Sequence, residues 1–162
     1  MNYTDDVDFF LTHHPHGWST CCIHLKDRRV EFTISHAFGD PFFDLMKSLS
    51  QLIDKHDEVT FFWFGEPGGQ RVQIKRIKNR HHMIKVNVDV FYESYGDQIK
   101  RFEKAVEFEL KEKQLITLAY YQLKKIETLL REKSYAADRR DFPFSDFTRL
   151  ENKVKSYLGL GT

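Results

Sequence analysis

Long apolar runs are what this chain lacks most plainly. No segment approaches the ~20 consecutive apolar residues that a membrane-spanning helix needs, so no membrane partner is expected. Cysteine is almost absent as well. The two present, Cys21 and Cys22, are adjacent, and on a strand adjacent side chains point to opposite faces and do not pair with each other. A disulfide framework is thereby excluded, and a reducing, cytoplasmic setting is expected. Asp5, Asp6 and Asp8 stand where a secretory leader would carry positive charge. Metal- and cofactor-binding signatures are missing too: there is no pair of cysteines two residues apart, no helical two-histidine motif around a glutamate, and no glycine-rich phosphate loop. No cofactor is expected.

An excess of one charge is also lacking, since 25 Lys/Arg against 24 Asp/Glu leave a net charge of +1. The balance hides an asymmetry. Residues 1–58 hold 5 basic and 10 acidic side chains, a net of −5, and residues 59–162 hold 20 and 14, a net of +6. Arg71, Lys75, Arg76, Lys78, Arg80 and Lys85 follow one another with no acidic residue between them. Of these, Arg71, Lys75, Lys78 and Arg80 are the candidate contacts of a basic hairpin with an acidic protein or with nucleic acid.

What is present is enough for one ordinary domain. A chain of 162 residues with 41% hydrophobic residues and 15 Phe can bury a ring-rich core without staples. Residues 1–16 read as an irregular lead-in. Trp18 to Leu25 reads as a strand, and Val30, Phe32 and Ile34 alternate with polar residues as a second, half-buried strand. Asp40 and Pro41 then open a helix over 40–56, with Leu45, Leu49 and Leu52 on its apolar face. Glu58 to Tyr92 reads as an antiparallel meander. It comprises an aromatic strand to Phe64, the Glu66-Pro67-Gly68-Gly69 turn, a strand whose phase slips at Arg76-Ile77, a turn at Asn79, and a strand alternating from Ile84 to Val90.

Past Gly96 no Gly or Pro interrupts residues 98–134, and Glu107/Lys111, Glu109/Lys113 and Glu127/Arg131 stand four apart, as on a helix. A single helix there would be about 55 Å long at 1.5 Å per residue. It must therefore break near Glu109 to Lys113 or protrude and pair with a second copy through residues 99–130. Ser145 is placed to cap a final short helix that ends at Gly159. The expected fold is α+β: an antiparallel sheet of about five strands with a β-α-β connection through helix 40–56, then a helical part over 98–162.

Candidate chemistry is sparse. His13, His14 and His16 cluster before Trp18, and His81 and His82 share a turn, but none stands at a metal-ligand spacing. Cys22 has His24 two residues away on the same strand face, an arrangement that strands produce often without chemistry. Asp40, Asp44 and Glu66 are a conceivable carboxylate set, although capping and turn formation already account for two of them. No catalytic residue is assigned.

Several short motifs carry a likeness. Gly17-Trp18, Phe32-Thr33-Ile34-Ser35, Asp40-Pro41 with Leu45, Leu49 and Leu52, Trp63, Glu66-Pro67-Gly68, Arg71, Tyr135, Phe142-Pro143 and Leu150 together resemble a broad set of small bacterial proteins with no established reaction. That resemblance implies a bacterial α+β protein and, by association, an immunity-like role against a toxin partner. A noncatalytic protein-binding module is the expectation. Nucleic-acid binding through the basic hairpin is the alternative, and an enzyme whose site is invisible in sequence is the third.

Overall fold

Two antiparallel sheets, not one, organise the computed structural model, which describes residues 4–93, 99 and 101–161. The first has the order β1 (Val7–His14), β2 (Trp18–Leu25), β3 (Arg28–Ser35); the second has the order β4 (Glu58–Phe64), β5 (Gly69–Ile77), β6 (Arg80–Phe91), β7 (Glu103–Lys111). Helix α1 (Pro41–Ile53) crosses from one sheet to the other. Helices α2 (Glu112–Leu129), α3 (Lys133–Ala136) and α4 (Phe144–Leu158) complete the chain. The class is α+β, with seven strands in place of the five expected.

Two expectations fail for physical reasons. The lead-in is not irregular, because Val7, Phe9, Leu11 and His13 alternate as the buried face of β1, paired with β2 from Val7 opposite Leu25 to His14 opposite Trp18. Nor is 98–134 one continuous helix: it changes from strand to helix between Lys111 and Glu112, within the region where a break was expected, and the part before that break is β7. Val106, Phe108 and Leu110 alternate as the buried face of β7, and the glutamates between them find cations across the sheet: Glu107 meets Lys85 and Glu109 meets Arg80. A helix starts only at Glu112, and the boundary placed between Gly96 and Gln98 lies outside the described residues. Of the stripe Leu115, Ala119, Leu123, Ile126 and Leu130, on which pairing with a second copy rested, the first four are buried within the chain and Leu130 is half-buried, where α2 packs on β1 and α4.

Other expectations match. Asp40 Oδ1 accepts from the backbone N–H groups of Phe42 (3.0 Å) and Phe43 (3.2 Å), with Pro41 at the first helical position. The register between β5 and β6 shifts at Arg76/Ile77, and Asn79 turns with a φ of 67°. Gly159 ends α4 in the left-handed region at φ 69°, but that helix begins at Phe144 without a side-chain cap from Ser145. No described helix is long and apolar enough to cross a membrane.

The sheets meet through β3. Its Ser35 end donates to Glu66 beyond the end of β4, and its Arg28 end reaches the Ala105 carbonyl in β7 (2.6 Å). β3 thus reaches the β4–β5 turn at one end and the outer strand β7 at the other. Both inner faces and the apolar sides of α1, α2 and α4 form one continuous core.

Candidate functional site

Several of the short motifs singled out in the sequence meet in the fold. Trp18 pairs with Ser35 across β2 and β3, the Ser35 hydroxyl donates to Glu66 Oε2 (2.8 Å), and the Trp63 indole N–H donates to the Pro41 carbonyl (3.1 Å). Phe142 packs its ring 5.9 Å from that of Phe42. The Glu66–Pro67 peptide is cis, and Gly68 holds a φ of 79°. A Cβ on Gly68 would lie 2.3 Å from the Phe91 carbonyl oxygen, and one on Gly69 would lie 2.4 Å from that of Trp63. Only glycine lets the turn press this closely on β4 and β6.

Close to these residues lies a polar cluster that sequence reading did not assemble. His13, Ser19 and His36 are buried. His13 Nε2 is 2.9 Å from the Arg140 carbonyl, which only accepts, so that nitrogen carries the proton. Burial lowers the pKa of both rings, that of His36 to about 4; Arg139 and His14 add to the effect at His13, and His13 and Arg140 add to it at His36. In the neutral ring His13 Nδ1 is therefore bare. Ser19 donates to it at 3.3 Å and accepts from His36 Nε2 at 2.7 Å. The result is a one-way chain from His36 through Ser19 and His13 to Arg140. Ser19 has 0% exposure, so the hydroxyl is committed to the network rather than presented to a substrate. The alternation of β1 carries His13 into the core, and that was the signal available in the sequence.

Other weighed side chains are dispersed. His14 bonds Thr20 on the outer face of the first sheet (2.9 Å), and His81 and His82 are exposed at the β5–β6 turn. Among the described residues no three His, Cys, Asp or Glu side chains form a metal-sized group. Burial pushes the Cys21 thiol up to about 12, whereas Cys22 contacts His24 on the opposite face at 3.4 Å. Asp40 and Asp44 are both raised by desolvation.

The four hairpin cations do not act as one patch. Arg71 pairs with Asp89 (2.6 Å) and stacks over the Phe102 ring at 3.7 Å; Lys75 pairs with Glu58 and Arg80 with Glu109, each at 3.5 Å. Lys78 is exposed next to the β5–β6 turn. The acidic partners come from β4, β6 and β7, so the basic run is neutralised by strands that only folding brings alongside.

Around the Glu66–Pro67 turn the surface is aromatic. Phe38 is 46% and Tyr92 69% exposed. The ring of Phe38 packs on Phe64 at 5.8 Å, and Phe64 packs on Phe91 at 6.0 Å, next to Tyr92. On the other side of the same turn, Trp18, Glu66, Pro67, Gln70, Val90 and Ala105 line a groove of about 510 Å³ beside β3. Comparison with protein-family models, with curated proteins and with solved structures returned no match.

Proposed function

We propose that the protein is a noncatalytic protein-binding module of the immunity type, acting by covering part of a partner's surface. The observation that carries this reading is the exposure of two rings beside the Glu66–Pro67 turn, Phe38, which packs on Phe64, and Tyr92, whose backbone lies against Gly68. Exposed clustered rings mark interaction surfaces, and aromatic side chains supply much of the binding energy at interface centres. Support comes also from the chemistry around it. The polar groups of the buried cluster hydrogen-bond one another, and three of the four hairpin cations of the nucleic-acid alternative, Arg71, Lys75 and Arg80, hold intramolecular carboxylates.

Affinity capture from the native host tests the reading. Wild-type protein is expected to retain one reproducible protein, a toxin in the immunity form of the proposal. A Phe38→Ala/Tyr92→Ala variant with unchanged melting temperature is expected to retain at least tenfold less. Equal capture by both, or capture of none, overturns it. A shift of labelled RNA that weakens with salt and with Lys75→Glu/Lys78→Glu/Arg80→Glu would favour the hairpin instead.

A further inference from the structure

We infer that the free edge of β3 is a strand-addition site for an extended, basic segment of the partner protein. The inference rests on the protein-binding reading and names where and how the partner docks. Val30, Glu31, Phe32 and Thr33 all line the groove beside β3. Alternate residues of a strand point to opposite faces, so four consecutive residues share one groove only when it runs along the strand's edge. Among the described residues β3 pairs with β2 alone, so on its other side the backbone donors and acceptors are a template for another strand. The four residues span about 13 Å at ~3.3 Å each.

A second observation points to the same occupant. Gln70 lines the groove at 8% exposure, and its buried Oε1 has no hydrogen-bond partner. A buried acceptor left unpaired is costly. Because that atom is closed to solvent, the Gln70 side chain must turn toward the groove for a backbone N–H of an added strand to supply the missing donor.

Charge selects the chemistry of that strand. The lining contains two carboxylates, Glu31 and Glu66, and no Lys or Arg. Basic residues on the incoming segment therefore complement the rim. The same carboxylates act against a second copy as occupant, because antiparallel pairing of two β3 edges about Glu31 sets like charges opposite one another.

Selection of random decapeptides displayed on phage against the full chain tests this. Enriched peptides are expected to carry Lys or Arg and to lack central Pro. A synthetic version should slow amide exchange of Val30 to Thr33 at least tenfold, bind at least tenfold more weakly to Glu31→Lys/Glu66→Lys, and bind about threefold to tenfold more weakly to Gln70→Leu, whose thermal stability is undiminished. Binding lost in Phe38→Ala/Tyr92→Ala but kept in Glu31→Lys/Glu66→Lys overturns strand addition while leaving the protein-binding reading standing. Enrichment of no peptide, with host capture intact, does the same. Failure of both selection and capture removes both. A dimer of the chain alone that protects β3 amides makes a second copy the occupant and overturns the inference.

Discussion

At the scale of single residues, the His13–Ser19–His36 chain makes acid sensitivity a property of the core. Both rings have pKa values below 6.5 in the fold. The unfolded chain therefore binds protons first as pH falls, and the contribution of the neutral rings is complete above about pH 6.5 and lost toward pH 4. The groups facing His13 are Arg139, Asp40 and His14, and those facing His36 are His13 and Arg140. The Arg140 carbonyl and Asp40 favour the charged His13 ring, and burial outweighs both. Urea midpoints measured from pH 7.5 to 4.5 should show a loss on the order of 2 kcal/mol. His36→Gln, which keeps a donor for Ser19 and does not titrate, should shrink that loss. Ser19→Ala, which leaves the His36 N–H without its acceptor, should cost about 1–3 kcal/mol at neutral pH. Gly68→Ala should cost more than 2 kcal/mol, since strain at φ 79° adds to the clash with Phe91.

At the scale of elements, Arg76 is the clearest joint. Its guanidinium donates to the Leu52 (3.3 Å) and His56 (3.2 Å) carbonyls at the end of α1, to the His81 carbonyl (2.9 Å) in β6, and to Glu112 at the start of α2. Glu112 in turn receives Lys55 (3.3 Å) and the Tyr157 hydroxyl (2.8 Å) from α4. Arg76→Met leaves Glu112 only the mostly exposed Lys55 and the Tyr157 hydroxyl and should cost up to about 3 kcal/mol, whereas adding Glu112→Gln should restore part of it. A double-mutant cycle that is additive within about 0.5 kcal/mol would show the pair to be a bystander.

Elements also show what was legible in the sequence. The helix over 41–53 was, because Asp40, Pro41 and the leucines three and four apart all argue the same way. The meander was legible because alternation, turn residues and the slip at Arg76 agree. β1 was hidden by His13, a polar residue on a buried position, and by Phe10, an aromatic on the exposed face. β7 was hidden by charge: Glu107 and Glu109 satisfy helical spacing to Lys111 and Lys113, yet Glu107 meets Lys104 on its own strand and Lys85 on β6, and Glu109 meets Arg80 on β6. Local spacing cannot reveal a partner that only tertiary structure supplies. The polar cluster and the groove were illegible for the same reason, since each joins residues from elements distant in the chain.

At the scale of the molecule, α4 closes the core rather than decorating it. Phe147, Leu150 and Val154 are buried against α1 and α2. Each such side chain contributes about 1.5–3 kcal/mol, and a domain has only about 5–15 in total. A chain ended at residue 143 should lose cooperative unfolding and near-ultraviolet dichroism, and Leu150→Ala alone should cost about 2–5 kcal/mol.

The stretch after α3 is stitched to the first turn of the chain. His16 donates its backbone N–H to Asp138 (2.7 Å), Arg139 donates to the His13 carbonyl (2.7 Å), and His13 donates to Arg140 across 127 positions. During synthesis on the ribosome, the three-stranded sheet is translated long before residue 140 exists. Its innermost imidazole then has no carbonyl to bond, so the earliest sheet to be made is among the last to be finished.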